Sequence, residues 1–426
     1  MKNFSAIVLL FIANSISGMA QGISMIAIPW YFAQQEEMAR FGLIYVLTNV
    51  LLIIWVPYSG VFIDKYNRKH IFLATTALFG SLVLGIAMYG HYQDGLPWYL
   101  VALVFMLTFF NYAIHYPNLY AFIQEISEPA YYGRITSYIE IQGQLTTIAA
   151  GAGAAMLLEG NLSGEVAVLG HVFKLPFIIE PWPIQWIFTL DAATYFLAFL
   201  IILMLQVESL KERRREAGSI LIQLKVGIDY LKKHFGVLIF GLASYSVFVS
   251  VLLTTFFLSA IYVNNHLLGA ASVYAISEVY YAIGAVLAGV AIRRIFSRVS
   301  LPESILIMTL IAMGLFAVLA ISRSVVLFYV MFFLLGLSNA GTRIQRVTYL
   351  FSHLPNQVYG RVNSIFFLSN ILFRIFFLSL FSLPFFSAYN NVIYAFAIIS
   401  VFLLASAALL LYYIRHYEER DNVPEH

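Results

Sequence analysis

Glu140, Glu278 and Arg374 are charged residues that lie deep inside long apolar stretches of the chain. A charge at the centre of a membrane costs about 2.5–3.5 kcal/mol on insertion scales, so each one marks an ion pair or a transport pathway. A carboxyl group whose surroundings change can bind and release a proton. Glu140 and Glu278 are therefore the candidates for proton coupling. Glu278 and Arg374 are expected at about the same depth, so they are also candidates for an ion pair, whose role could be purely structural.

Glu140 belongs to a stripe of small and polar residues. The stripe has spacings of 3, 4, 3 and 4, and consists of Ser137, Glu140, Gln144, Thr147 and Gly151. This periodicity places all five on one face of a helix. The stripe predicts a surface that faces an aqueous cavity. The alternative is a helix–helix contact held by hydrogen bonds.

Other polar residues within apolar stretches are candidates for substrate binding. Asn14 and Gln21 lie seven residues apart on one helix face, and they could instead hydrogen-bond to the fifth span. The predicted substrate-binding set is Asn14, Gln21, Asn49, Gln144, Thr147, Tyr274, Tyr281, Asn370 and Arg374. Asp191 and His115 are expected to have structural roles, Asp191 as a helix cap or in a pair and His115 as a satisfied histidine.

The composition determines which class of protein must position these residues. Of the 426 residues, 61% are apolar and 11% are charged, whereas soluble proteins carry about 25% charged residues. This excludes a water-soluble enzyme. A net charge of +3 leaves no basic face for nucleic acid. The absence of cysteine excludes disulfides and thiolate metal sites.

Twelve apolar segments are long enough to cross a membrane, which takes about 20 residues. They predict an all-α polytopic membrane protein. Twenty of the 24 Lys and Arg residues fall in loops on one side, and Arg40, Lys174 and Arg323 fall on the other. Positively charged loops stay in the cytoplasm, so both termini are predicted to be cytoplasmic, in the inner membrane of a bacterium.

The spans fall into two groups of six. The predicted domains are an amino-terminal bundle (1–206), a cytoplasmic linker (207–234), a carboxy-terminal bundle (235–415) and a tail (416–426). Leu221, Leu224, Ile228 and Leu231 recur at helical spacing in the linker and predict an amphipathic surface helix. The external segment 159–182 contains an alternating pattern from Glu165 to Phe177 that predicts a short hairpin.

The two groups carry an internal repeat. Tyr-Gly-Arg-Ile-Thr-Ser at 132–137 opens the fifth span, and Tyr-Gly-Arg-Val-Asn-Ser at 359–364 opens the eleventh. Upstream, Asn111 falls against Asn339 and His115 against Arg343. Parallel repeats of this kind occur in transporters, with the substrate site between the halves near mid-membrane. The fold class expected is therefore twelve transmembrane helices in two pseudo-symmetric six-helix bundles.

The loop after the second span reads Gly60-Val-Phe-Ile-Asp64-Lys65-Tyr-Asn67-Arg68-Lys69. It resembles the signature loop of the major facilitator superfamily, Gly-x-x-x-Asp-Arg/Lys-x-Gly-Arg-Arg/Lys. Asn67 replaces a Gly, and we expect it to adopt the left-handed conformation that Asn tolerates. The resemblance implies a conformational latch, formed here by Gly60, Asp64, Lys65, Arg68, Arg134 and Arg361, in which Asp64 meets the start of the eleventh span. A purely topological role for the basic residues is the alternative.

Further details resemble the macrolide-efflux and enterobactin-exporter branch of that superfamily. They are Gln21-Gly-Ile-Ser-Met-Ile-Ala-Ile-Pro-Trp30, the Gly-Arg-x-Thr/Asn-Ser openings and Asp191-Ala-Ala-Thr-Tyr195. The resemblance implies a secondary active transporter, a proton-coupled exporter of a bulky amphipathic drug or siderophore. The alternatives are a lipid, metabolite or metal-ion carrier of the same fold, and, in another class, a membrane enzyme or receptor.

The expected partners are a small-molecule substrate, protons and membrane lipids, and we expect a monomer without a cofactor or metal site. The sequence contains no Gly-x-x-x-x-Gly-Lys motif, so ATP is not expected to drive transport directly. Nine histidines are scattered along the chain rather than clustered, which favours a carrier over an enzyme.

Overall fold

The computed structural model describes residues 3–128, 131–161, 165–168, 171–174, 178–207 and 220–418. Within these ranges twelve helices are long and apolar enough to cross a membrane, which confirms the twelve predicted spans. In the first half the helices are α1 (Phe4–Gln34), α2 (Met38–Lys65), α3 (Arg68–Gln93), α4 (Trp98–Ile126), α5 (Tyr132–Glu159) and α6 (Ile184–Leu203).

The linker helix is α7 (Ile220–Lys233). It is followed by α8 (Phe235–His266) and then by α9 (Ala271–Ile295), α10 (Leu301–Leu319), α11 (Val325–His353), α12 (Asn356–Phe381), α13 (Pro384–Ser387) and α14 (Val392–His416). The helix α8 contains two π-helical turns, at Thr254–Leu258 and Tyr262–His266. Such turns carry one extra residue each and often occur at functional positions in helices.

A two-stranded antiparallel hairpin lies between α5 and α6, as the alternating pattern predicted. Its strands are β1 (Glu165–Val168) and β2 (His171–Lys174), and Glu165 lies opposite Lys174 in the register.

The helices divide into two compact units. The amino-terminal unit comprises Met1–Glu37, Leu47–Glu216 and Gly269–Val279, and the carboxy-terminal unit comprises Met38–Val46, Ala217–Leu268 and Tyr280–His426. In the first, α1, α3, α4, α5 and α6 share a core that contains Leu10, Phe72, Phe122, Ile139 and Ile202. In the second, α8, α10, α11, α12 and α14 share a core that contains Phe240, Ile305, Tyr349, Phe366 and Leu410.

Two helices are divided between the units. The start of α9 belongs to the amino-terminal unit and the rest of it to the carboxy-terminal unit, whereas the start of α2 belongs to the carboxy-terminal unit and the rest of it to the amino-terminal unit. In the amino-terminal unit the start of α9 packs on α1 and α5. The ring of Tyr274 stacks on Trp30 with 6.2 Å between centroids, and a Cβ on Gly151 would lie 2.8 Å from the carbonyl oxygen of Ala275. In the carboxy-terminal unit, Phe41 from the start of α2 stacks on Phe257, also at 6.2 Å.

The backbone conformation of Asn67 differs from the predicted one. Its φ is −66° and its ψ is 124°, which is extended rather than left-handed backbone, and its side chain accepts hydrogen bonds from the backbone N–H groups of Lys69 and His70. It is therefore the N-cap of α3, a position at which Asn is among the preferred residues. The left-handed prediction was wrong because it considered only the backbone that Asn tolerates, and not the cap that its side chain forms.

Two glycines bring α9 and α11 into close contact. A Cβ on Gly284 would overlap the carbonyl oxygen of Phe333, and one on Gly336 would overlap that of Tyr281. Small residues allow membrane helices to approach this closely.

Gly284→Ala is expected to lower the free energy of unfolding by about 1–3 kcal/mol, the typical cost of overpacking. The midpoint of thermal unfolding in detergent would measure it. The matched control is Gly289→Ala on the same helix, since a Cβ there meets open space. Equal stability of the two variants would contradict this packing.

Candidate functional site

A groove of about 920 Å³ runs between α1 and α5 in the amino-terminal unit. Ligand pockets in proteins span about 300–1,000 Å³ and are mainly apolar with a few polar groups. The walls of this groove follow the same pattern. They are aliphatic and aromatic apart from four polar residues, Ser15, Arg134, Gln142 and Thr146.

The groove lies along one side of the contact between the two helices, which share core residues near their amino ends and hydrogen bonds at mid-length. Towards their carboxyl ends α1 and α5 are close, since a Cβ on Gly22 would lie 2.7 Å from the Cβ of Ala150. On the side of the groove both helices carry large side chains, including Ile12, Ile141 and Leu145, which are 44%, 49% and 58% exposed. These side chains line the groove instead of forming a dry contact.

Polar groups lie at two levels of the groove. The side-chain amide of Gln142 donates to the carbonyl of Phe11 and to the hydroxyl of Ser15, both at 2.7 Å. The guanidinium of Arg134, at the amino end of α5, donates from Nε to the hydroxyl of Tyr138 at 2.7 Å and is exposed. The groove therefore offers hydrogen-bonding groups at mid-length and a positive charge at one end.

The residues of the polar stripe on α5 lie in different environments. Glu140 is half-buried and accepts a hydrogen bond from the hydroxyl of Tyr120 at 3.0 Å. Gln144 and Thr147 are half-buried, and Thr147 hydrogen-bonds to the carbonyl of Gly143 in its own helix. Gly151 is buried against the start of α9. Roles for Glu140 in coupling and for Gln144 and Thr147 in binding stay predictions.

Asn14 and Gln21 lie in the interior of the amino-terminal unit, and their partners are on α4 and α6, so the alternative of hydrogen bonds to the fifth span was wrong. The oxygen Oδ1 of Asn14 is 2.7 Å from Nε2 of His115, and the amide of Gln21 donates to the hydroxyl of Tyr195. Asn111 donates to the same hydroxyl at 3.1 Å. These groups surround a small cavity of about 20 Å³. Among the described residues, no group of three His, Asp or Glu side chains is placed to hold a metal ion.

Arg374 is buried on α12, with 5% of its surface exposed. It interacts with the hydroxyl of Tyr45, which the start of α2 contributes to the same unit. One turn away, Asn370 is fully buried, and neither polar atom of its side chain has a hydrogen-bond partner among the described residues. Tyr281 accepts a hydrogen bond from Asn339 at 2.6 Å.

Glu278, Tyr274 and Asn49 belong to the amino-terminal unit, and all three are buried. The predicted ion pair between Glu278 and Arg374 joins residues of different units, and it stays a prediction.

The loop between α2 and α3 is anchored within the amino-terminal unit. Arg68 forms an ion pair with Glu125 of α4 at 2.9 Å and donates to the carbonyl of Ala121 at 2.8 Å. Lys69 donates to the carbonyls of Leu203 and Leu205, at the carboxyl end of α6. Two of the basic residues thus tie the start of α3 to two neighbouring helices.

The remaining residues of the predicted latch are placed as follows. Gly60 is exposed and a side chain there would meet open space; Lys65 is exposed, with Nζ 5.4 Å from the ring centre of Tyr66. Asp64 lies in α2, but its side chain is outside the described residues. The carbonyl of Arg361 closely approaches Gly227 of α7. The latch stays a prediction.

Two charged residues that the sequence reasoning missed have specific partners. Glu125 could have been found as an acid at the end of a span, level with the basic loop. Arg346 is 4% exposed; it donates to the carbonyl of Ser244 at 2.9 Å, and its guanidinium lies 3.5 Å from the ring centre of Tyr245. This aromatic partner could not be predicted from the sequence, because it lies about 100 positions away along the chain.

The comparisons with known proteins agree with this architecture. The family model described as Major Facilitator Superfamily matches residues 10–378. A bacterial homologue of the human lysosomal transporter Spinster has a TM-score of 0.71 at 14% identity, and the match covers 100% of this chain and 99% of that one.

Two further solved structures share the fold. The nucleoside transporter NupG has a TM-score of 0.70 at 14% identity, with 96% of this chain and 99% of that chain covered. A D-xylose-proton symporter has a TM-score of 0.68 at 12% identity, with 95% and 97% covered. No curated protein sequence matches the chain significantly. Because the family model covers most of the chain, this multi-pass membrane protein belongs to the major facilitator superfamily of transporters.

Proposed function

We propose that this secondary transporter exports a bulky amphipathic compound, a drug or a siderophore, in exchange for protons. The observation that carries the proposal is the groove between α1 and α5, whose volume of about 920 Å³ suits a large ligand. Alternating access of the site to the two sides of the membrane is the mode of transport that the repeated six-span halves support.

The lining of the groove favours an amphipathic compound over a sugar or a nucleoside. A highly hydroxylated ligand needs many hydrogen-bonding partners, because buried polar groups without partners are costly. This groove offers the side chains of Ser15, Gln142, Thr146 and Arg134 and two tyrosine hydroxyls, and both Gln142 and Arg134 already donate within the protein. The groove is apolar along most of its length, with polar groups at mid-length and at one end. It therefore suits a ligand that is mainly apolar and carries a few polar groups.

The proposal also includes proton coupling and the orientation of the chain in the membrane. The half-buried carboxyl group of Glu140 belongs to α5, one of the two helices that form the groove, and Glu278 is the second candidate for proton coupling. The excess of Lys and Arg in the loops on one side supports cytoplasmic termini, and the membrane we propose is the inner membrane of a bacterium. Asp64 and the start of α12 would form the cytoplasmic latch that holds one conformation.

The test is transport into proteoliposomes with a panel that contains tetraphenylphosphonium, erythromycin and a catecholate siderophore. The larger side chain of Leu145→Trp fills part of the groove and excludes substrate from it. We expect transport of the accepted compound to fall about tenfold or more, which corresponds to a loss of about 1.4 kcal/mol or more in binding free energy. Leu200→Trp on α6, whose parent residue is 56% exposed, is the control and should transport normally.

Equal transport by the two Trp variants would contradict a substrate role for the groove. If lysophospholipids rather than the panel compounds were moved, the function would be lipid transport and the drug or siderophore proposal would fail.

A further inference from the structure

Asp191 is a fully buried carboxyl group in the middle of α6. Its exposed fraction is 0%, and neither of its oxygens has a hydrogen-bond partner in the described part of the chain. The hydroxyl of Ser24 on α1 interacts with the carboxyl group without reaching hydrogen-bond geometry. The expectation of a structural cap or pair was therefore wrong: the residue lies seven positions inside its helix, and no cation among the residues described pairs with it.

Neighbouring helices offer no positive charge at this level. α1 contains no Lys or Arg, and Asp191 is the only charged residue of α6. The Lys and Arg residues of α3 lie at its amino end, where Lys69 bonds to the carbonyl of Leu203. Leu203 is 12 residues from Asp191, or about 18 Å along the helix. An ionised carboxylate buried without a cation is very costly, and such a group instead takes up a proton.

The titratable groups around Asp191 come from three helices. Tyr112 of α4 and Tyr195 of α6 are close enough to interact with its charge. The helix α3 presents His91 to α6, with Nε2 at 2.9 Å from the hydroxyl of Thr189. None of these groups compensates a negative charge at Asp191 as a fixed cation would.

A chain of polar groups leads from Asp191 towards the amino end of α1. The oxygen of Tyr195 accepts hydrogen bonds from Gln21 and Asn111, so its hydroxyl proton remains as the donor it can offer. The cavity of about 20 Å³ lies beside this hydroxyl and also touches His115 and Asn14. A cavity of this size has room for one water molecule.

The chain continues to the predicted coupling residue. His115 is in edge contact with the ring of Tyr116 at 5.5 Å between centroids. Tyr116 interacts with the charge of Glu140, which in turn is bonded to Tyr120. Polar side chains therefore lie between a buried acid on α6 and a half-buried acid on α5 within the amino-terminal unit, joined by ring contacts and charge interactions as well as by hydrogen bonds.

We propose that Asp191 is a proton-binding site of the transporter and that the polar groups around Tyr195 connect it to Glu140. Asp191 carries a proton in the conformation described here. It releases one H⁺ when the site opens to solvent and becomes a carboxylate, and it binds one H⁺ when the site closes. The assignment rests on the proposed proton coupling and adds a second carboxyl group to it.

The first experiment reads the protonation state directly and does not depend on transport. Infrared spectra of the purified protein at neutral pH are expected to show the carbonyl stretch of a protonated carboxylic acid, which shifts in D₂O. Asp191→Asn should remove this band, while Glu140→Gln should retain it. Asn has the shape of the protonated acid, so the variant is expected to fold. A band that persists unchanged in Asp191→Asn would overturn the proposal.

The second experiment counts protons in weakly buffered solution when tetraphenylphosphonium, which has no titratable group, is added. The wild type is expected to release protons, Asp191→Asn to release fewer, and Tyr195→Phe to release the same number more slowly. If Asp191→Asn and the wild type released equal numbers of protons, Asp191 would not be a proton-binding site, although proton coupling of transport would still stand. An infrared band at Asp191 with no proton release from the wild type on binding would leave the site standing and refute the coupling.

Discussion

Replacing Glu125 with Gln is expected to lower the free energy of unfolding by about 1.5–3 kcal/mol, the contribution of a hydrogen bond between charged groups. The carboxylate lies 2.9 Å from the guanidinium of Arg68, and the two side chains are only 9% and 19% exposed. The variant leaves Arg68 without its anionic partner in a partly buried position, where an unpaired charge is costly.

A double-mutant cycle with Arg68→Gln tests whether this energy comes from the pair. We expect the double variant to be less destabilised than the sum of the single variants, because removing both partners leaves no unpaired charge. Lys65→Gln is the control, since Lys65 is exposed at the end of α2. Additive effects in thermal or denaturant unfolding would show that the ion pair contributes nothing measurable.

Replacing Glu140 with Gln is expected to abolish substrate accumulation driven by a pH gradient while substrate binding and downhill exchange persist. Gln keeps the shape of the side chain and still accepts the hydrogen bond from Tyr120, but it cannot release a proton. Transport by proteoliposomes with and without an imposed pH gradient measures the difference between the two modes.

The matched control for Glu140 is Glu159→Gln on the same helix. Glu159 is exposed and accepts a hydrogen bond from the backbone N–H of Ser272 at 3.2 Å, so its replacement should leave coupling intact. If Glu140→Gln couples normally and Glu278→Gln does not, the coupling role belongs to Glu278. If neither variant changes coupling, the carrier does not exchange its substrate for protons through these groups.

The spans, the linker helix and the hairpin could be predicted from sequence because each depends on a local pattern. A run of about 20 apolar residues has no alternative in a membrane, and the alternation from Glu165 to Phe177 has the period of a strand. The internal repeat aligned Asn111 with Asn339 but predicted no partner for either residue. Asn111 and Asn339 each donate to a tyrosine hydroxyl, although one tyrosine lies on α6 and the other on α9.

The partners of individual side chains could not be predicted, because they depend on which helices pack together. The periodicity of α5 identified the helix face that carries Glu140, but the groove on the neighbouring face depends on the separation of α5 from α1. Asp191 was expected to have a partner because buried charges usually do. Its isolation became visible only when α1, α3 and α4 were seen to supply no cation beside it.

The linker helix α7 has a consequence for dividing the chain into parts. Gly227 lies so close to α12 that a Cβ there would be 3.0 Å from the carbonyl of Arg361, and Leu231 belongs to the core of the carboxy-terminal unit. The helix is thus a component of the second half and not a tether between halves. Chimeras or separately expressed halves should therefore be joined or cut before Ile220, because a boundary at Phe235 would remove a packed helix from the fragment that needs it.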